Sequence, residues 1–126
     1  MNIALIAHDG KKAELVSFVL QNQALFEGSK LYSTATTGAH VEEAGLEVHK
    51  VLSGPRGGDA QIAAKVAEGQ MDLVIFFRDP LGKHAHEPDI QMLMRICDVH
   101  NIPLSTNPAG AKLLLIGLKE KGLLEE

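Results

Sequence analysis

Apolar residues come in short runs that alternate with amphipathic stretches along the whole chain. Asn2–Ala7 is nearly all apolar and predicts a first strand. Over Lys11–Gln21, Leu15, Val16, Val19 and Leu20 share one face at helical spacing, so a helix is expected there. Leu31–Thr34 predicts a short second strand, and Ala39–Ala44 a short helix stopped by Gly45. Glu47–Leu52 predicts a third strand and Ala60–Glu68 a helix ending at Gly69. Asp72–Phe77 contains the run Leu-Val-Ile-Phe-Phe, apolar on both faces, as a strand buried between two layers requires. In Asp89–His100, Ile90, Leu93, Met94 and Cys97 follow the i, i+3, i+4, i+7 rule of a half-buried helix. Ile102–Ser105 predicts a fifth strand. Ala109–Lys119 follows as a helix, with Ala111, Leu114, Leu115 and Leu118 on one face.

Strict strand–helix alternation predicts a parallel sheet covered by helices on both sides, with right-handed crossovers. Periodicity leaves the strand order open. It does place the unusual polar residues. His8-Asp9 follows the first strand, Thr34, Thr36, Thr37 and Gly38 the second, and Ser53-Gly54-Pro55-Arg56-Gly57-Gly58-Asp59 the third. Asp79-Pro80, with His84, His86 and Asp89, follows the fourth, and Thr106-Asn107 the fifth. Every cluster thus falls at a strand's carboxyl end, the edge where open parallel sheets bind ligands.

Composition narrows the class. The 126 residues, 45 % apolar, suit one globular domain. Cys97 is the single cysteine and lies on an apolar helical stripe, so it reads as core, and an internal disulfide is excluded. Met1-Asn2-Ile3 leads straight into a strand, without the pattern of a signal peptide, and a cytoplasmic protein is expected. A formal net charge of −4 and scarce aromatics argue against a nucleic-acid surface. An anionic ligand would have to be captured by local features, because the overall field repels it.

Those local features are legible. The glycine-rich turn 53–58 can present bare backbone N–H groups to an anion at the start of a helix. It ends in Asp59, a candidate general base, although an aspartate there also serves as an ordinary first-turn residue. Thr34, Thr36 and Thr37 offer hydroxyls to a phosphate or, in the plainer reading, cap a helix. Lys12, at the unfavourable end of a helix dipole, suits a phosphate contact or a solvated lysine. Asp79 and Asp89 bracket His86 and can orient its imidazole, while Asp89 also suits an N-cap. His-x-His at 84–86 lacks the further ligands that zinc requires, and no metal is expected.

Taken together, these residues resemble the methylglyoxal synthase family. The likeness runs from Ile3 to about Ala111. It rests on Ile-Ala-His-Asp-x-x-Lys at 6–12, Thr34 to Gly38, and Ser53-Gly54-Pro55 with Gly57-Gly58-Asp59. Asp79-Pro80-Leu81 with His86-x-Pro88-Asp89, Asn101-Ile102-Pro103 and Thr106-Asn107 complete it. The resemblance implies a single domain with a three-layer α/β/α Rossmann-like fold and a five-stranded parallel sheet in the order 3-2-1-4-5. It implies a lyase that converts dihydroxyacetone phosphate to methylglyoxal and inorganic phosphate, a glycolytic bypass. A cytoplasmic homohexamer inhibited by phosphate and needing no cofactor is implied as well.

Carried over residue by residue, Asp59 matches the family's catalytic base and His86 the histidine that meets the substrate's carbonyl and hydroxyl oxygens. His8, Lys12, Thr34, Thr36, Thr37, Ser53 and Gly54 match substrate and phosphate contacts, with Gly57 and Gly58 in the same loop. Asp9, Asp79 and Asp89 match carboxylates around the site. Two other classes share the topology. A regulatory anion-binding module would need the loops without Asp59, His86 and Asp89. A response-regulator receiver would want paired acids after the first strand and an aspartate ending the third, where this chain has Ser-Gly-Pro.

Overall fold

The computed structural model describes residues 1–82 and 87–121. Five strands, β1 (Asn2–Ala7), β2 (Lys30–Thr34), β3 (His49–Val51), β4 (Leu73–Phe77) and β5 (Leu104–Ser105), form one sheet. Its order is β3-β2-β1-β4-β5 and every pairing is parallel. The helices are α1 (Lys12–Gln21), α2 (Gln23–Phe26), α3 (Ala35–Glu43), α4 (Gly58–Ala67), α5 (Glu87–Val99) and α6 (Pro108–Glu120).

The pleat sorts the apolar residues into two cores. Ile3, Leu5 and Ala7 of β1, with Leu73, Ile75 and Phe77 of β4, pack on Leu15, Phe18 and Val19 of α1, Val41 of α3, and Ala111 and Leu115 of α6. Their neighbours Ala4, Ile6, Val74 and Phe76 point the other way, onto Ile62, Ala63 and Val66 of α4 and Ile90, Leu93 and Cys97 of α5. Alternate side chains of a strand face opposite sides, so central strands between two helical layers must be apolar throughout. All five residues of β4 are buried. Among the described residues no helix is long and apolar enough to cross a membrane.

Several boundaries differ from the sequence reading. Helix α3 begins at Ala35 rather than Ala39, because the threonines and Gly38 join its first turns. Helix α4 begins at Gly58 rather than Ala60, and α5 at Glu87 rather than Asp89. The edge strands β3 and β5 are shorter than their apolar runs, as edge pairing on one side alone allows. Residues 9–11 form a separate 3-10 turn before α1, and α2 was not anticipated. Leu20, expected on the buried face of α1, is 45 % exposed.

Candidate active site

The carboxyl ends of the strands lie along one edge of the sheet, and the polar clusters come with them. Beyond β1 the chain is held to β4, since the His8 N–H donates to the Phe77 carbonyl at 3.1 Å. Beyond β2 the Ala35 N–H reaches the Leu52 carbonyl at 3.4 Å, and beyond β4 the Arg78 N–H reaches the Thr106 carbonyl at 3.3 Å.

The pleat also fixes which helical layer each side chain meets. His8 continues the face of Ala4 and Ile6, and its ring packs edge-on against Phe76, with centroids 5.1 Å apart. Only 4 % of His8 is exposed. Thr34 points to the same side, where its Cγ2 lies against Gly58 at the start of α4. The layer built from α4 and α5 carries Asp59 and Asp89. His8, Thr34, Asp59 and Asp89 therefore belong to one face of the sheet and one edge.

Asp59 is wholly buried in the first turn of α4. Charged side chains are rarely buried to that degree. The turn before it is tightly wound: the Arg56 and Gly58 N–H groups both donate to the Ser53 carbonyl, at 3.0 and 2.9 Å. Gly57 stands at φ 107°, a left-handed conformation that glycine alone adopts without strain. Ser53 and Gly54 open this turn, and no side chain caps α4.

The threonines behave unlike ordinary caps. Thr34 occupies the N-cap position of α3, yet its hydroxyl makes no capping hydrogen bond. Thr37, 1 % exposed, has a buried Oγ1 with no hydrogen bond among the described residues. A hydroxyl left so costs about 1–3 kcal/mol. Thr36 is exposed on the same turn.

The carboxylates after β1 and β4 divide their tasks. Asp9 is exposed, and its Oδ1 takes the Lys12 ammonium at 2.6 Å; Lys11 pairs with Glu14 at 3.3 Å instead. The Asp79 backbone N–H donates to His8 Nδ1 at 2.8 Å, and its Oδ1 accepts from the Leu81 N–H at 3.1 Å. Asp89 lies half-buried in the first turn of α5. His86 and His84 lie outside the described residues.

Arg78 is a residue the sequence reading passed over. It stands between the buried end of β4 and Asp79. Its guanidinium donates to Glu87 Oε1 at 3.1 Å and to Met94 Sδ at 3.7 Å, tying the start of α5 to the end of β4. Glu87 also accepts from Gln91 at 3.1 Å. The pairing spans 9 residues and carries no short-range pattern, so only the lone arginine among acids hinted at it. Arg78 also lines a cleft of about 430 Å³ with Lys11, Pro80, Thr106 and Asn107.

Known proteins share this chain's sequence and fold. The family model described as the MGS-like domain matches residues 14–106. The chain is 55 % identical over 126 residues to the methylglyoxal synthase of Thermoanaerobacterium thermosaccharolyticum, covering 99 % of this chain and 93 % of that one. It is 56 % identical over 116 residues to the methylglyoxal synthase of Moorella thermoacetica, covering 91 % of each. The crystal structure of methylglyoxal synthase from Elizabethkingia anophelis superposes with a TM-score of 0.86 at 42 % identity, covering 90 % of this chain and 76 % of that chain. The structure of ForH, at 19 % identity and a TM-score of 0.64, shares the fold.

Proposed function

The chain belongs to the methylglyoxal synthase family, and from that premise we propose that it converts dihydroxyacetone phosphate to methylglyoxal and inorganic phosphate. The observation that carries the reading is the wholly buried Asp59 at the start of α4, directly after a glycine turn that abuts Thr34.

In this reading Asp59 removes a proton from the hydroxymethyl carbon beside the ketone. The electron pair left behind makes an enediolate, whose oxygens require hydrogen-bond donors; one such donor is typically worth ~2.7–4 kcal/mol. His86 is assigned that role, and Asp89, Asp79 and Asp9 are assigned as carboxylates of the site. The enediolate then expels phosphate by breaking the C–O bond at the neighbouring carbon. That bond must stand perpendicular to the enediolate plane, so that its electrons overlap the π system. The groups that hold phosphate therefore choose elimination over isomerisation by orientation alone.

Thr34, Thr36 and Thr37, Ser53, Gly54, Gly57 and Gly58, together with Lys12 and His8, make up the phosphate seat. The buried Thr37 hydroxyl supports this, since a phosphate oxygen would give it the hydrogen bond it lacks among the described residues. The unsaturated caps of α3 and α4 support it too, because helix N-termini favour anions. Lys12 lies in the ion pair with Asp9 and would be shared between that carboxylate and phosphate.

We assign no cofactor to the reaction, which requires neither redox nor hydrolytic chemistry. A single-domain, cytoplasmic homohexamer, inhibited by its product phosphate, completes the proposal; light scattering of the purified protein tests the assembly. For the activity, the protein is incubated with dihydroxyacetone phosphate and both products are assayed. Methylglyoxal and phosphate should appear in equal amounts, whereas glyceraldehyde 3-phosphate without phosphate release would overturn the reading.

A further inference from the structure

We propose that His8 is held as a neutral imidazole with its single proton on Nε2, so that it serves the site as a hydrogen-bond donor and is barred from acting as its base. The inference rests on the synthase reading for its role, but on one hydrogen bond for its chemistry. The Asp79 backbone N–H lies 2.8 Å from His8 Nδ1. A backbone amide only donates, so Nδ1 must present its lone pair. A neutral imidazole carries one proton and one lone pair, which places the proton on Nε2. Adding a second proton at Nδ1 would set two donors against each other.

The surroundings keep the ring in that orientation. Its own backbone N–H is fixed to the Phe77 carbonyl at 3.1 Å, and the ring edge rests against Phe76. A ring flip would bring a C–H to the Asp79 amide and leave that donor unmet. The ring is 4 % exposed, so water does not readily take its place.

The consequence is a division of labour at the end of β1 and β4. A histidine beside a carboxylate-rich site is an obvious candidate to remove a substrate proton. Here its one lone pair is already committed to the Asp79 amide. Nε2–H can stabilise an oxygen that gains negative charge, and proton removal falls to a carboxylate, Asp59 in the reading above.

Two measurements test this. Long-range ¹H–¹⁵N correlation spectra of the full-length protein at neutral pH, assigned through His8→Gln, should show His8 protonated on Nε2 alone. A proton on Nδ1, or on both nitrogens, would overturn the proposal. Separately, the amide nitrogen of Gln reaches the Nε2 position, while that of Asn reaches only the Nδ1 position. With both variants folded, His8→Gln should exceed His8→Asn in kcat/KM by roughly tenfold or more, as expected for keeping one donor to a developing charge. Equal losses in the two would remove the donor role. If the wild-type protein made no methylglyoxal, the synthase reading would fail while the spectroscopic assignment of the proton stood on its own.

Discussion

A Cβ on residue 58 would sit 1.9 Å from the Leu52 carbonyl oxygen and 2.9 Å from Thr34 Cγ2, so α4 starts where only glycine fits. Two loops from different strands meet at that point, and Asp59 is the next residue. The contact brings the ends of β2 and β3 against the start of α4, one residue before the buried carboxylate.

Gly58→Ala must therefore push α4 away from the end of β3. We expect a stability loss of about 1–3 kcal/mol by denaturant unfolding, with kcat/KM reduced at least roughly tenfold. Gly45→Ala is the contrast: its φ is 96°, but among the described residues no side chain or backbone beyond its chain neighbours would lie within 4 Å of the added Cβ. It should cost stability of similar order through backbone strain alone, about 1 kcal/mol, with kcat unchanged. Equal kinetics for the two variants would mean that the 52–58 contact does not shape the site.

Asp59→Asn keeps the shape of the side chain and removes its basicity. Turnover of dihydroxyacetone phosphate should fall by ~10²–10⁴-fold, with the circular-dichroism spectrum preserved. Near-normal turnover would remove Asp59 from the role of base.

Thr37→Val separates stability from binding. Because Oγ1 is buried without a hydrogen bond among the described residues, replacing it by a methyl should leave stability unchanged or raise it by up to about 1–3 kcal/mol. Phosphate affinity, read by calorimetry, should drop, and Thr37→Ser should restore it. A Val variant that is less stable yet binds phosphate normally would make Thr37 a structural residue.

The Arg78–Glu87 pair is partly exposed at 31 % and 40 %, so its removal should cost less than about 1 kcal/mol of stability. Its effect on catalysis should be larger, because it fixes the helix that carries Asp89. Arg78→Ala should lower kcat by about ten- to a hundredfold. Glu87→Gln should move kcat in the same direction, and an effect on stability alone would limit the pair to a fold contact.

Burial, and secondarily the charge of Asp98, push the Cys97 thiol up from 9.0 to about 11. The folded protein thus holds a proton that the unfolded chain releases. The resulting stability is complete below about pH 9 and is lost as pH rises towards 11. Thiol reagents at pH 8 should label Cys97 only as the protein unfolds, and rapid labelling of native protein would contradict its burial.

Much of the fold, and the candidate residues along its edge, could be read from residue order. The helix over Asp89–His100 and the buried strand Asp72–Phe77 were plain because periodicity is local, and the glycine turn and the threonines announced themselves by type. The beginnings of α3 and α4 are not legible in the sequence, because polar threonines and glycines look like loop although packed first turns hold them in helix. Arg78 gave no signal beyond a lone arginine among acids, since its partners lie on another element.

By itself the sequence determined the alternation of strand and helix, the double burial of the central strands, and the gathering of polar residues at the strands' carboxyl ends. These depend on spacing along the chain, where each residue's neighbours are already known. Tertiary structure alone decided that Asp59 is sealed from water and that an amide 71 residues away meets His8 Nδ1; the strand order, which periodicity leaves open, is the one the family resemblance implies. Strand order, burial and hydrogen-bond partnership arise between segments far apart in sequence. They are settled only when those segments compete for the same neighbours in the packed chain.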